Sequence, residues 1–115
     1  FKWLENPPAH AGRLGTTIET EATLQRFSYG LMQLMGSVFR EHGFLEPLPT
    51  ALEPHINVQY GCRHFSKYLN KYSNTEDAIS SYNQGSPRKG SNGQYLNQQY
   101  VNKVLNFYKN FKAVA

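Results

Sequence analysis

The chain is 115 residues long, 39% hydrophobic, 14% aromatic and 17% charged, and 12 Lys and Arg against 8 Asp and Glu leave a net charge of +4. That length buries roughly two thirds of the unfolded surface in one core, so a single domain over residues 1–115 is expected. The mild positive charge suits an anionic partner, but Lys67, Lys71, Lys103, Lys109 and Lys112 are too sparse for a nucleic-acid stripe, and no nucleic-acid partner is expected. A lone Cys62 excludes an internal disulfide and reads as a small core residue. No apolar run is long enough to span a bilayer. The chain begins with Phe1 rather than Met, which reads as a piece of something longer.

Residues 1–15, F-K-W-L-E-N-P-P-A-H-A-G-R-L-G, show no sustained period and read as an irregular lead-in. Thr16 and Glu19 form a capping box for a short helix over Thr17 to Arg26, with Ile18, Ala22 and Phe27 turned inward. Ser28 to Gly43 then reads as the central helix. Ser28 is its N-cap, Gly43 its left-handed C′ residue, and Leu31, Leu34, Met35, Val38 and Phe39 form one apolar face. A proline-punctuated link follows, with one short turn at Pro49 to Leu52. Pro54 suits the first turn of a helix whose inward face is Val58, Cys62, Phe65, Leu69 and Tyr72. Asn74 and Asp77 cap a short helix through Ala78 and Ile79 to Tyr82. The glycine-rich segment Gln84 to Asn97 reads as a mobile rim, and a last helix over Asn97 to Lys112 buries Val101, Val104, Leu105, Tyr108 and Phe111. Strand alternation is missing throughout, so the expected class is all-α, or α+β with minimal β, any β lying in the first fifteen residues or the 84–96 loop.

Catalytic strings of known mechanics are absent: there is no C-x-x-C, H-E-x-x-H, phosphate loop or G-x-S-x-G. His10, His42, His55 and His64 are scattered, and no metal or cofactor is expected. Four strings carry more. G-L-M-Q-L-M at 30–35, P-H-I-N-V-Q-Y-G-C-R-H-F-S-K-Y-L at 54–69, A-I-S-S-Y-N-Q-G at 78–85 and Y-V-N-K-V-L at 100–105 stand in this order. Together they resemble the soluble lytic transglycosylase family, relatives of goose-type lysozyme, and in particular its compact bacteriophage versions. The family shows a G-L-M-Q helix, a P-x-x-N-I-x-x-G helix, an A-x-x-A-Y-N-x-G segment and a closing Y-V-x-x-V helix. The resemblance spans about residues 27–107.

What it implies is a lysozyme-like helical domain that cleaves peptidoglycan glycan strands at the MurNAc-GlcNAc bond without a cofactor. The setting implied is a phage or wall-degrading protein, virion-associated or periplasmic or extracellular at the cell wall. Further partners are the rest of its own chain or virion proteins. Gly30, Met32 and Gln33 would wall the glycan cleft, and Tyr82 with Asn83 would stand beside the catalytic acid or the substrate. The bland alternatives are a core helix carrying Gln33 as a surface amide and Tyr82 as a helix-end residue. The family's glutamate belongs to an E-S-x-x-N-P string ahead of G-L-M-Q, and residues 1–29 hold no match to it. The acid is therefore expected upstream of Phe1, with Glu21 and Glu19 as fallback candidates. Family chemistry uses that one carboxyl as acid and then as base, while the sugar's own 6-hydroxyl closes a 1,6-anhydro ring. The alternative function is a non-catalytic peptidoglycan-binding or structural module on the same scaffold.

Overall fold

Asn6 takes up left-handed backbone (φ 42°) and Pro7 and Pro8 follow it, opening helix α1 (Pro7–Leu14) in the computed structural model, which describes residues 3–114. The expected irregular lead-in is thus mostly helix, and its Phe1 and Lys2 lie outside the described residues. The reason is positional: proline at the first helical positions gives up no hydrogen bond, because those N–H groups have no partner within the helix. Helix α2 (Ile18–Gln25) is capped by Thr17, whose hydroxyl oxygen accepts from the Thr20 N–H at 3.1 Å, so the cap sits one residue later than expected. Its inward side chains are Glu21 and Gln25, whereas Ile18 and Phe27 are exposed.

The expected helix from Ser28 is replaced in its first half by a hairpin. Strands β1 (Ser28–Tyr29) and β2 (Leu34–Met35) pair antiparallel, Ser28 opposite Met35 and Tyr29 opposite Leu34, and only then does α3 (Gly36–Glu41) begin. Two left-handed residues, Gly30 (φ 68°) and Gln33 (φ 48°), make the turn, and neither could sit in an α-helix. Leu34, Val38 and Phe39 are buried as expected, but Leu31 at the tip is 74% exposed. Gly43 does take the left-handed conformation expected of it just past α3 (φ 87°).

A short 3-10 turn at Leu48–Leu52 precedes the longest helix, α4 (Pro54–Lys71). Its buried residues are Asn57, Gly61, His64 and Tyr68, one position away from the expected apolar stripe; of that stripe Val58, Cys62 and Leu69 are exposed, while Phe65 packs inward as expected. Apolarity alone pointed to the wrong strip, because the positions of closest approach demand an amide and a residue without a side chain. The chain divides into two compact units between His64 and Phe65. In the first, Phe39 is the centre, with the rings of Tyr29, Phe44 and Tyr60 at 6.3, 5.5 and 5.5 Å.

In the second unit Asn74 caps α5 (Thr75–Gln84), accepting from the Glu76 N–H at 2.7 Å. Ile79, Tyr95 and Val101 form its core, flanked by Phe65, Tyr100, Val104 and Leu105. Residues 85–97 are tied down rather than draped: Lys89 and Tyr95 form an antiparallel bridge, and the N–H groups of Gly90 and Leu96 donate to the carbonyls of Gln94 and Arg88, each at 2.9 Å. Helix α6 (Gln98–Val114) buries Val101 but runs on with Tyr108 and Phe111 exposed, against expectation. Among the described residues the architecture is mostly α with one two-residue hairpin, the class expected, although the hairpin lies at neither place foreseen for it. No described helix is long and apolar enough to cross a membrane.

Candidate functional site

The turn of residues 30–33 is built on Asn57. This side chain is fully buried on α4; its amide nitrogen donates to the carbonyls of Tyr29 (2.7 Å) and Ala51 (2.9 Å), and its oxygen accepts from the Met32 N–H at 2.7 Å. The Tyr29 carbonyl and the Met32 N–H are groups that a continuous helix from Ser28 would have paired within itself, so Asn57 satisfies them in the hairpin instead. Gly30 is obligatory: a Cβ there would come within 2.5 Å of the Asn57 amide nitrogen, at a backbone angle that L side chains avoid. Met32 lies across Gly61, where a Cβ would meet its Cγ at 2.5 Å. Gln33 is exposed, and its amide folds back to donate to the Gly30 carbonyl at 2.8 Å. The turn therefore presents Leu31 and Gln33 outward on a backbone held by one amide.

Behind the turn lies a buried polar network. The Glu21 carboxylate, 1% exposed, accepts from Arg40 at both oxygens (2.9 Å each) and from the Gln25 amide at 2.8 Å. Arg40 also donates to the Phe44 and Glu46 carbonyls at 2.8 and 2.7 Å, and Gln25 exchanges two hydrogen bonds with the Glu5 backbone. Burial alone would raise the Glu21 carboxyl, but the Arg40 and Gln25 hydrogen bonds and the Arg40 charge outweigh it and hold it below the usual carboxylate range. Glu21 is thus an anion locked in a forked pair. Glu19 is exposed in the first turn of α2.

In the second unit Tyr82 is half-buried near the end of α5, its ring edge-on to Phe65 at 6.1 Å. Exposed Asn83 accepts from the Asn97 amide at 3.0 Å. Asn97 in turn donates to the Ser80 carbonyl at 3.0 Å and accepts from the Ser80 hydroxyl at 2.7 Å, and it lines an open cavity of about 660 Å³ with Asn92, Gln94, Gln98 and Tyr100. Buried Tyr95, at the cavity wall, donates to Asp77; desolvation first, then that carboxylate, push its phenol up to about 12. The cavity is lined with amides and aromatic faces, groups that suit a polar, uncharged ligand. For metals, Glu41, His42 and His64 form the only described group of ligating side chains close enough to share an ion.

A family model described as Transglycosylase SLT domain matches residues 11–105. The chain belongs to this family. No curated protein and no solved structure matches it. SLT domains act on cell-wall peptidoglycan, and lytic transglycosylase-type cleavage is the activity of the family. Within this SLT domain the sequence-derived residues fall into separate groups. Gly30, Met32 and Gln33 share the hairpin turn of the first unit, Glu21 lies in the network behind it, and Tyr82 and Asn83 belong to the second unit. Sequence reasoning passed over two residues of this SLT domain, Asn57 and Asn97. The first stood inside the P-H-I-N string, and the second was read only as the start of the last helix.

Proposed function

We propose that this domain binds peptidoglycan glycan strands as a lytic transglycosylase directed at the MurNAc-GlcNAc bond, with Gly30, Met32 and Gln33 of the turn and Tyr82 and Asn83 of α5 serving the saccharide. The observation that carries the reading is the family match, which takes in both the G-L-M-Q turn and the Y-N segment. The preset turn supports it further: its backbone is fixed before any ligand arrives, so binding need not order it. The chemistry needs a carboxyl that is protonated when it meets the glycosidic oxygen and is then able to take a proton back. Neither fallback glutamate has those surroundings. Glu21 is held ionised by Arg40, and Glu19 stands in solvent without an apolar enclosure. Glu21 is accordingly read as a positioning residue for α2 and α3, and the proton donor as neither of the two. A virion or cell-wall setting is part of the same proposal and rests on the likeness to compact phage-type members.

The test is to incubate this chain with purified peptidoglycan, pellet the wall and analyse the supernatant for muropeptides. The expected result is co-sedimentation without release. Release abolished by Glu21→Gln or Glu19→Gln would return the acid to that residue, and failure to sediment with the wall would end the saccharide reading. A second reading, a non-catalytic wall-binding module, is favoured by the same locked state of Glu21. It is separated from the first by assaying the whole natural protein, which releases 1,6-anhydro muropeptides only if the first reading holds.

A further inference from the structure

The last residue of α3, Glu41, its C-cap His42, and His64 of α4 bring their side chains together within the first unit. The His42 Nε2 and His64 Nδ1 are 2.9 Å apart and share a proton, and a Glu41 carboxylate oxygen lies 4.0 Å from the same His42 nitrogen. One ligand atom from each residue falls within 4.8 Å of the other two. His64 is buried, while His42 and Glu41 are partly open, so solvent reaches one side of the cluster.

We propose that Glu41, His42 and His64 form a binding site for a divalent transition-metal ion of the zinc type, which pins the end of α3 to α4. Two imidazoles and one carboxylate are a zinc donor set, and with bonds of about 2.0–2.2 Å a tetrahedral ion holds neighbouring ligand atoms roughly 3.3 Å apart. From the present 2.9 Å the imidazole pair has to open by about 0.4 Å, and the carboxylate has to close by about 0.7 Å on His42 and by up to about 1.5 Å on His64, which rotation of the partly open Glu41 side chain supplies. The ion takes the place of the proton now lying between the rings, and that proton passes through solvent to the other nitrogen of the donor ring, so that both imidazoles ligate as neutral tautomers. A water molecule completes the fourth position from the open side. The anionic Glu41 offsets part of the added charge. Arg63 donates to the His42 carbonyl at 3.2 Å and is stacked over the Tyr60 ring at 4.6 Å, which directs its cation to the backbone and the ring face. The site is separate from the residues assigned to the saccharide, and it stands whether or not that assignment does.

The test uses the chain stripped with EDTA and titrated with Zn²⁺ alone by calorimetry, with Co²⁺ as an optical reporter. One equivalent is expected to bind, at micromolar Kd or tighter, with a melting temperature raised on the order of 5–10 °C at hundredfold excess over Kd and lowered again by EDTA. Co²⁺ should give the ligand-field absorption of a low-coordinate imidazole site. Because His64→Ala could fail to fold, the deciding variants are His42→Ala and Glu41→Gln at partly open positions, each expected to weaken binding tenfold or more. His10→Ala, His55→Ala and Cys62→Ser, which remove the other imidazoles and the thiol, should bind as the parent does. Absence of saturable binding would overturn the proposal, and so would stoichiometric binding that His42→Ala and Glu41→Gln leave unchanged.

Discussion

The side chain of Ser81 is fully buried, and its hydroxyl finds no hydrogen-bond partner among the described residues. A buried, unmade hydrogen bond costs about 1–3 kcal/mol, whereas removing the hydroxyl leaves a methyl that fits the same space. Ser81→Ala should therefore raise the melting temperature by a few degrees, read by calorimetry; a fall of several degrees would mean that the hydroxyl has a partner after all. Alanine is also the residue that the A-Y-N string carries at this place. The string was legible in the sequence, but the orphaned hydroxyl was not, because satisfaction of a polar atom depends on neighbours that only the fold supplies. Asn57 teaches the same point with the opposite sign. It stood in view within P-H-I-N, yet nothing in its spacing announces an amide bonded to residues 29, 32 and 51.

Helices α2 and α3 are joined by charge where the sequence suggested apolar packing. Glu21 and Arg40 are both buried, and neither could remain so alone. Arg40→Met, which strands the carboxylate, should cost about 3–5 kcal/mol of unfolding free energy in a denaturant titration. The pair also sets an acid limit. Because the folded carboxyl lies below its usual range, its contribution is present above the unfolded value and disappears as the pH falls through the folded one. Stability should decline as the pH drops below about 4, and Glu21→Gln should flatten that part of the profile. A profile as steep as the parent's would assign the acid limit to other groups. At this scale the first half of α6 was readable because Val101, Val104 and Leu105 are apolar and pack inward, while its later Tyr108 and Phe111 are exposed. The helical periods of α2 and α4 were misread because their inward positions are Glu, Gln, Asn, Gly and His. Hydrophobic periodicity marks where grease is spent, not where backbones meet.

Across the molecule the net charge of +4 is uneven: residues 1–64 carry 5 Lys and Arg against 6 Asp and Glu, whereas residues 65–115 carry 7 against 2, so the positive excess belongs to the second unit. Arg88 and Lys89 lie in the bridged segment of the second unit, Arg88 donating to the Gln84 carbonyl at 3.0 Å and Lys89 placed 4.8 Å from the Tyr95 ring centre. These ties make the segment part of the core's edge. Arg88→Ala with Lys89→Ala should thus weaken wall sedimentation in a salt-dependent manner and also lower the melting temperature by a few degrees, a loss that a freely mobile rim would not show. An unchanged melting temperature would mean that the bridge holds without those side chains. The family was legible at this scale from the order of four strings, which survives errors about faces and caps. The first unit's hairpin was not, since its determinant lies on α4, well along the chain from the turn it shapes.

The two close approaches at that turn also govern how the sequence can drift. A methyl added at Gly61 meets only the flexible Met32 side chain, whereas one added at Gly30 meets an amide clamped by two carbonyls. Substitution at 61 can therefore be compensated by a shorter residue at 32, provided the shortening comes first. Substitution at 30 has no such partner, because shortening Asn57 removes the bonds that make the turn. One glycine belongs to a pair that can change in sequence over generations, and the other is a fixed point about which lineages of this domain must vary.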